Sequence, residues 1–293
     1  MPRAHANGIE IEYEEVGDAA DEPMLLIMGL AAQLVLWDEE FCTALAERGY
    51  RVIRFDNRDV GLSTKLDHLG MPNLLAVMSA RMLGQPVAAP YRVSDMAADS
   101  AGLLDALEID AAHVVGASMG GMIAQTMAIE HPDRVRSLTS IMSTTGDPSL
   151  PPPAPEAGAV LLSPAPNGRE EAIERAVRVF RTIGSPGFPF DEARIRGHAA
   201  RSYDRCFNPA GAARQLTAVV ASGSRKPELR SLRVPTLVIH GSRDPLIPPA
   251  CGIDTAESIP GAELLMIEGM GHDLPREAWP RIVDAIAALA AKA

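Results

Sequence analysis

A five-residue segment at 116–120, GASMG, matches the pattern G-x-S-x-G and limits the folds open to this chain. An apolar run at 113–115 predicts a β-strand before it, and the apolar spacing after it predicts a helix. A sharp turn from strand to helix lifts a serine hydroxyl clear of its sheet. Such a turn strains the serine backbone and crowds both flanks, which explains glycine at Gly116 and Gly120. We therefore predict that Ser118 is an exposed nucleophile on a structural elbow.

Short apolar runs alternate with helical patterns along most of the chain. Residues 9–16 alternate apolar and charged side chains, which predicts a half-exposed strand in an antiparallel pair at a sheet edge. Further strands are predicted at 24–28, 51–55, 113–115, 137–142, 234–240 and 263–267. Strands that alternate with helices predict an α/β fold, with a mostly parallel central sheet and helices on both faces.

The segment 146–227 departs from this alternation because it contains no clear strand. It opens with several prolines and continues with helical patterns at 169–183, 191–205 and 209–222. We predict a core made of residues 1–145 and 228–293, with a helical cap insertion at 146–227. This segment is called the helical insertion below.

A second irregular stretch, 65–91, carries three methionines at roughly helical spacing, Met71, Met78 and Met82. We expect these side chains to pack in the core. The alternative is that they face a cleft, where flexible thioethers suit a loosely shaped apolar pocket.

A serine hydroxyl needs a base within hydrogen-bond reach, and that base needs an orienting group. Asp244 and His272 each come directly after a predicted strand. Because the carboxyl ends of parallel strands meet at one edge of a sheet, we expect both side chains to lie near Ser118. The order Ser118, Asp244, His272 predicts a catalytic triad. Asp147, which follows the strand at 137–142, is the alternative acid.

Attack on a carbonyl creates an oxyanion, which requires fixed N–H donors. One predicted donor is the backbone N–H of Met119, where the dipole of the following helix also favours negative charge. The other is the N–H of Leu30, in the turn after the strand at 24–28, where Gly29 lets the backbone approach a substrate.

Composition excludes several other classes of protein. The formal net charge is −11 and no basic run occurs, so we expect no nucleic-acid partner. The sequence contains no apolar run of about 20 residues, so we expect no membrane span. The sequence shows neither metal-ligand spacing nor a phosphate-binding glycine loop, so we expect no metal and no cofactor. Three scattered cysteines and the lack of an apolar signal segment predict a cytoplasmic protein, either monomer or homodimer.

Outside the helical insertion, the chain resembles the α/β-hydrolase superfamily. The segment FDNRDVGLS at 55–63 is similar to the family's D-x-R-G-x-G-x-S turn, GSRDP at 241–245 to its acid loop, and GMGH at 269–272 to its histidine loop. The Met-Gly-Leu turn with Asp-Asn-Arg-Asp resembles the aclacinomycin-methylesterase-like and lipase/esterase-like branches. One departure is Met28-Gly29, where many relatives have His-Gly. Dehalogenases and epoxide hydrolases of this fold use aspartate at the elbow, so Ser118 argues against both.

The resemblance implies acyl transfer to water. We predict a serine carboxylesterase that cleaves small-molecule esters of small to medium apolar acyl or alkyl groups through an acyl-enzyme. Two alternatives use the same fold. One is a carbon–carbon bond hydrolase or cofactor-free perhydrolase on the same triad, and the other is a catalytically silent ligand-binding protein.

Overall fold

One eight-stranded sheet runs through the protein in the computed structural model, which describes residues 2–293. The strands are β1 (Arg3–Ala6), β2 (Ile9–Val16), β3 (Glu22–Ile27), β4 (Tyr50–Phe55), β5 (Ala112–Ala117), β6 (Val135–Ile141), β7 (Thr236–Gly241) and β8 (Glu263–Ile267). Their order across the sheet is β1-β2-β4-β3-β5-β6-β7-β8. The pairs β1/β2 and β2/β4 are antiparallel and the remaining pairs are parallel, so the predicted α/β fold with an antiparallel edge is confirmed.

Helices cover both faces of this sheet. The helices of the described chain, including those outside the two sheet layers, are α1 (Glu39–Ala46), α2 (Leu74–Met82), α3 (Val93–Ala106), α4 (Met119–Glu130), α5 (Pro155–Leu161), α6 (Arg169–Ile183), α7 (Glu192–Arg205), α8 (Pro209–Ser222), α9 (Lys226–Leu229), α10 (Pro249–Ser258) and α11 (Trp279–Ala290). No helix within residues 2–293 has both the length and the apolar character needed to cross a bilayer.

Alternating side chains of the central strands divide the core into two layers. On β3, Leu25 and Ile27 pack in the layer that contains α3 and α4, whereas Met24 and Leu26 pack in the layer of α1 and α11. This alternation is the period of two expected for a strand covered on both faces. Both layers are apolar, which explains why the central strands read as continuous hydrophobic runs.

Five helices, α5 to α9, lie between β6 and β7. No strand occurs there in the described chain, as the sequence predicts. The helical insertion as predicted ends within α9, because its last residue is 227 and this helix extends to Leu229.

The expectation that the three methionines of the stretch 65–91 pack in the core is wrong for Met71 and Met82, and Met78 is only half-buried and takes no part in either core layer. Met82 is 88% exposed and Met71 is 65% exposed. Helix α2 carries Met82 and buries Val77 alone, and α8 is its main packing partner. Met71 instead lies at the wall of a large cavity described below, which matches the alternative that we considered.

Candidate active site

The turn between β5 and α4 places Ser118 in the left-handed region, with φ of 56° and ψ of −119°. A Cβ atom on Gly116 would lie 2.1 Å from the carbonyl oxygen of Gly120. A Cβ atom on Gly120 would lie 2.0 Å from the carbonyl oxygen of Ile27. Both approaches are closer than any side chain allows, so the tight turn requires glycine at these two positions.

The structure brings Ser118, His272 and Asp244 together in a chain of hydrogen bonds. His272 Nε2 lies 3.0 Å from Ser118 Oγ, and His272 Nδ1 lies 2.7 Å from Asp244 Oδ2. Asp244 and His272 are both buried. With the proton on Nδ1, the imidazole donates to the carboxylate and its Nε2 lone pair accepts from the serine hydroxyl. This arrangement can remove the serine proton during attack on a carbonyl carbon.

The loop after β7 holds the second carboxylate oxygen of the acid. Asp244 Oδ1 accepts hydrogen bonds from the backbone N–H groups of Leu246, at 2.9 Å, and Ile247, at 2.8 Å. His240, fully buried on β7, donates from Nε2 to the carbonyl oxygen of Ile247 at 2.8 Å. Burial lowers the pKa of His240, which favours the neutral imidazole, and its Nε2–H is the donor toward the loop. These contacts aim Oδ2 of Asp244 at His272.

The helical insertion supports the histidine loop from the other side. The backbone N–H of His272 donates to the carbonyl oxygen of Ile183, the last residue of α6, at 2.7 Å. The hydroxyl of Ser185 accepts from the N–H of Gly271 at 2.9 Å and donates to the carboxylate of Asp273. Because these bonds join the end of α6 to the histidine loop, the position of the imidazole depends on the helical insertion.

The turn that follows β3 lies directly against the serine. A Cβ atom on Gly29 would lie 3.2 Å from Ser118 Cβ. Asn57 Nδ2 donates to the carbonyl oxygen of Met28 at 3.0 Å, and Gln215 Oε1, on α8, accepts from the N–H of Ala31 at 2.8 Å. These two bonds fix the turn on either side of the predicted donor Leu30.

Both predicted oxyanion donors lie at the cavity beside Ser118. Leu30 and Met119 line the same cavity as Ser118 and His272. Met119 is the first residue of α4, where backbone N–H groups have no acceptor within the helix. The two N–H groups are therefore placed on the elbow and on the turn packed against it.

The alternative acid, Asp147, is not brought to the histidine. Its carboxylate lies 3.2 Å from the Lys226 ammonium and accepts from the backbone N–H of Ser149 at 2.9 Å. Among the described residues, the carboxylate that contacts the His272 ring is that of Asp244.

A cavity of about 1010 Å³ opens above the serine. Its floor is formed by the elbow and by the turn after β3, and helices α6, α7 and α8 of the helical insertion supply much of its wall. Most of the wall side chains are apolar; examples are Leu36, Met71, Met122, Met142, Ala176, Val179, Phe180, Ile195, Leu216, Val219 and Leu246. This volume is at the upper end of the range typical of small-molecule sites.

Sequence reasoning missed a charged cluster at the cavity wall. Asp38 is buried and accepts from Arg194 Nε at 3.1 Å and from His198 Nε2 at 2.9 Å. Burial alone would raise the pKa of Asp38, but the hydrogen bonds from His198 and Arg194 lower it to about 2. Arg194 and His198 both lie on α7, so this cluster ties the helical insertion to the core. No local sequence pattern predicts this cluster, because Asp38 and its partners are more than 150 residues apart.

A second buried ion pair also joins the helical insertion to the core. Arg214 on α8 and Asp59 are both fully buried, and the guanidinium contacts the carboxylate at 2.7 and 2.8 Å. Tyr91 donates its hydroxyl to Asp59 at 2.8 Å, and the N–H of Leu66 donates to the same carboxylate at 2.8 Å. Burial alone would raise the pKa of Asp59, but the bonds from Arg214 and its other donors lower it. The carboxylate is thus ionised and fully paired.

The chain belongs to the α/β-hydrolase family. Residues 22–180, more than half of the chain, match the family model described as the alpha/beta hydrolase fold, and residues 197–287 match a model described as TAP-like protein. The chain is 33% identical to rhodomycin D methylesterase DauP from Streptomyces sp. (strain C5), with 94% of this chain and 93% of that protein covered. It is 32% identical to rhodomycin D methylesterase DnrP from Streptomyces peucetius over the same shares. The fold is similar to that of the meta-cleavage product hydrolase CumD from Pseudomonas fluorescens IP01, at 21% identity and a TM-score of 0.74, over 100% of this chain and 98% of that one.

Proposed function

We propose that this protein is a carboxylesterase that cleaves methyl esters of apolar carboxylic acids through an acyl-enzyme on Ser118. The observation that carries the proposal is the hydrogen-bonded chain from Ser118 through His272 to Asp244 at the floor of a large apolar cavity. Similarity to two methylesterases over more than nine-tenths of the chain supports an ester substrate with a small alkoxy group. The cavity gives the acyl group room to be considerably larger than the methyl group.

In the first half of the reaction, Ser118 Oγ attacks the ester carbonyl while His272 Nε2 accepts its proton. Asp244 holds the imidazole in the required tautomer and stabilises the imidazolium that forms. The N–H groups of Met119 and Leu30 donate to the oxyanion. When the carbon–oxygen bond breaks, the imidazolium gives its proton to the departing methoxide and methanol leaves.

In the second half, a water molecule takes the place of methanol. His272 accepts a proton from this water as its oxygen attacks the acyl carbon, and the same oxyanion donors act again. The carboxylic acid then leaves and the proton returns to Ser118 Oγ. The cycle regenerates the free enzyme without any group other than these residues and water.

We further propose that residues 1–145 and 228–293 act as the catalytic core and that the helical insertion, 146–227, is a cap over it. The contacts of α6 with the histidine loop and of α8 with the turn after β3 support this division. A cytoplasmic location is a prediction that the three free cysteines support, and a monomeric or homodimeric state is a separate prediction.

The alkoxy preference tests the proposed substrate class. With a set of 2-naphthoate esters, we expect kcat/KM to be highest for the methyl ester and to fall by roughly tenfold or more at the tert-butyl ester, because the added bulk crowds the carbonyl beside the oxyanion donors. The measurement is release of naphthoic acid by chromatography. The matched controls are p-nitrophenyl acetate and butyrate, whose leaving group is the same throughout.

Two further substrates test the alternatives in the same assay. A vinylogous diketone reports carbon–carbon bond cleavage, and acetate with hydrogen peroxide reports perhydrolysis. Turnover of either one with a kcat/KM above that of every ester would contradict the proposal.

A further inference from the structure

One face of α6 lines the cavity along most of the helix. Its lining residues are Ala172, Arg175, Ala176, Val179, Phe180 and Ile183, which recur at intervals of three and four positions. The carbonyl oxygen of Ile183 accepts from the N–H of His272, so the C-terminal end of this lining face lies at the triad. Arg175 stands eight residues earlier on a helix that rises about 1.5 Å per residue, which places it about 12 Å along the axis from that end.

Arg175 is a cation whose protein partners are all neutral. Its Nε donates to Ser163 Oγ at 3.0 Å, and its Nη2 lies 3.3 Å from the carbonyl oxygen of Leu161. Within residues 2–293, its Nη1 forms no hydrogen bond. Burial, together with the like charge of Arg178, lowers the pKa of this guanidinium.

The other two arginines of the cavity wall are neutralised by carboxylates. Arg194 pairs with Asp38, and Arg276 pairs with Glu40 at 3.3 Å. Arg175 contacts Ser163 and Leu161 instead, and it forms no such pair within the described part of the chain. A half-buried guanidinium beside an apolar volume favours a ligand that supplies the missing negative charge, since charge-assisted bonds to carboxylate oxygens are stronger than bonds to neutral acceptors.

We propose that Arg175 binds a distal carboxylate of the ester substrate, so that the preferred substrates are monoesters of elongated, apolar dicarboxylic acids. This inference rests on the proposed esterase function and narrows its substrate class. The ester group would lie at Ser118, the apolar body along α6, and the free carboxylate at Arg175. The distance of about 12 Å along the helix sets the length that fits best.

The test compares monomethyl esters of straight-chain dicarboxylic acids, from succinic to tetradecanedioic, with methyl esters of monocarboxylic acids of equal length. In the wild-type protein we expect kcat/KM to favour the charged ester by roughly ten- to hundredfold at the best length, as one charge-assisted pair predicts. Arg175→Gln should abolish this preference by raising KM for the charged ester more than for the neutral ester of equal length. Arg175→Lys should retain part of it.

Arg178→Gln is the matched control, because it removes the same charge from an exposed position three residues further along α6. It should keep the preference for the charged ester. Equal preference in wild type and Arg175→Gln would overturn the inference and assign Arg175 to holding the 161–163 segment against α6. A preference lost equally in Arg178→Gln would also overturn the inference. That result would show that the general positive charge of α6, and not a contact with Arg175, attracts the carboxylate.

A binding measurement keeps this test separate from the esterase activity. The monoamides of the same dicarboxylic acids keep the distal carboxylate and resist hydrolysis. By titration calorimetry, we expect the wild type to bind the best-fitting monoamide roughly tenfold or more tightly than Arg175→Gln does. Tight, Arg175-dependent binding without ester turnover would refute the proposed function alone, whereas ester turnover with binding that does not depend on Arg175 would refute this inference alone.

Discussion

Replacing Ser118 with alanine is expected to lower kcat for methyl and p-nitrophenyl esters by about 10,000-fold or more. The variant keeps the cavity, the oxyanion donors and the His272–Asp244 pair, but it lacks the oxygen that forms the acyl-enzyme. Residual hydrolysis would then depend on direct attack by water. The measurement is steady-state turnover, together with rapid-quench analysis for a burst of alcohol release, which the variant should not show.

Two controls separate this loss from a folding defect. Alanine can occupy the strained backbone of the elbow about as well as serine does, so the thermal midpoint of Ser118→Ala should stay within a few degrees of the wild type. Ser149→Ala removes a serine hydroxyl that binds Asp147 away from the triad, and it should keep full activity. Turnover by Ser118→Ala within tenfold of the wild type would refute the role of this serine.

The largest effect on stability is expected from breaking the buried pair between Arg214 and Asp59. Arg214→Met leaves a fully buried carboxylate with Tyr91 and Leu66 as donors but without its cation, and we expect the free energy of unfolding to fall by about 3–5 kcal/mol. Because α8 carries Arg214, detachment of the helical insertion should accompany the loss. Urea denaturation followed by circular dichroism measures the first effect, and limited proteolysis of the 146–227 segment measures the second.

The double variant Arg214→Met with Asp59→Asn provides the decisive comparison. The asparagine is neutral, its oxygen can accept from the N–H of Leu66, and its NH2 group can donate to the hydroxyl oxygen of Tyr91, so most of the lost stability should return. A double variant as unstable as the sum of the two single variants would show that the charge pair is not the cause. The exposed pair of Arg169 and Asp204, on α6 and α7, is the control, and Arg169→Met should leave the urea midpoint close to that of the wild type.

The sequence predicts the sheet well because its central strands are short and apolar on both faces. The helices at 169–183 and 209–222 are also confirmed, since their spacing and the proline at Pro209 mark the boundaries clearly. Several short elements escaped prediction, among them β1, α2, α5 and α9. Strand β1 and helix α9 have only four residues each, and α2 and α5 each bury a single side chain, so none of them carries the periodicity from which elements are recognised.

The candidate triad could be proposed from sequence because each member follows a strand, and parallel strands end at a common edge. The contacts that support the triad could not be predicted in this way. The bonds from Gln215 to Ala31, from Ile183 to His272 and from Asp38 to α7 all depend on how the helical insertion packs on the core. Their partners are from about 90 to more than 180 residues apart, and pairing over such separations leaves no local pattern.

Arg175 illustrates the same limit at the level of function. On the sequence it is one of several arginines along an amphipathic helix, where a solvated face is the ordinary expectation. The structure distinguishes it from Arg178 because the first lines the cavity and the second is exposed. Only the three-dimensional placement of charge suggests a ligand.

Labelling with a fluorophosphonate tests the central claim most directly, because the reagent reacts with serines that a neighbouring base activates. We expect one adduct per chain, located on Ser118 by peptide mass spectrometry, with labelling lost in Ser118→Ala and strongly slowed in His272→Gln. An unlabelled wild-type protein, or an adduct on a different serine, would contradict the account.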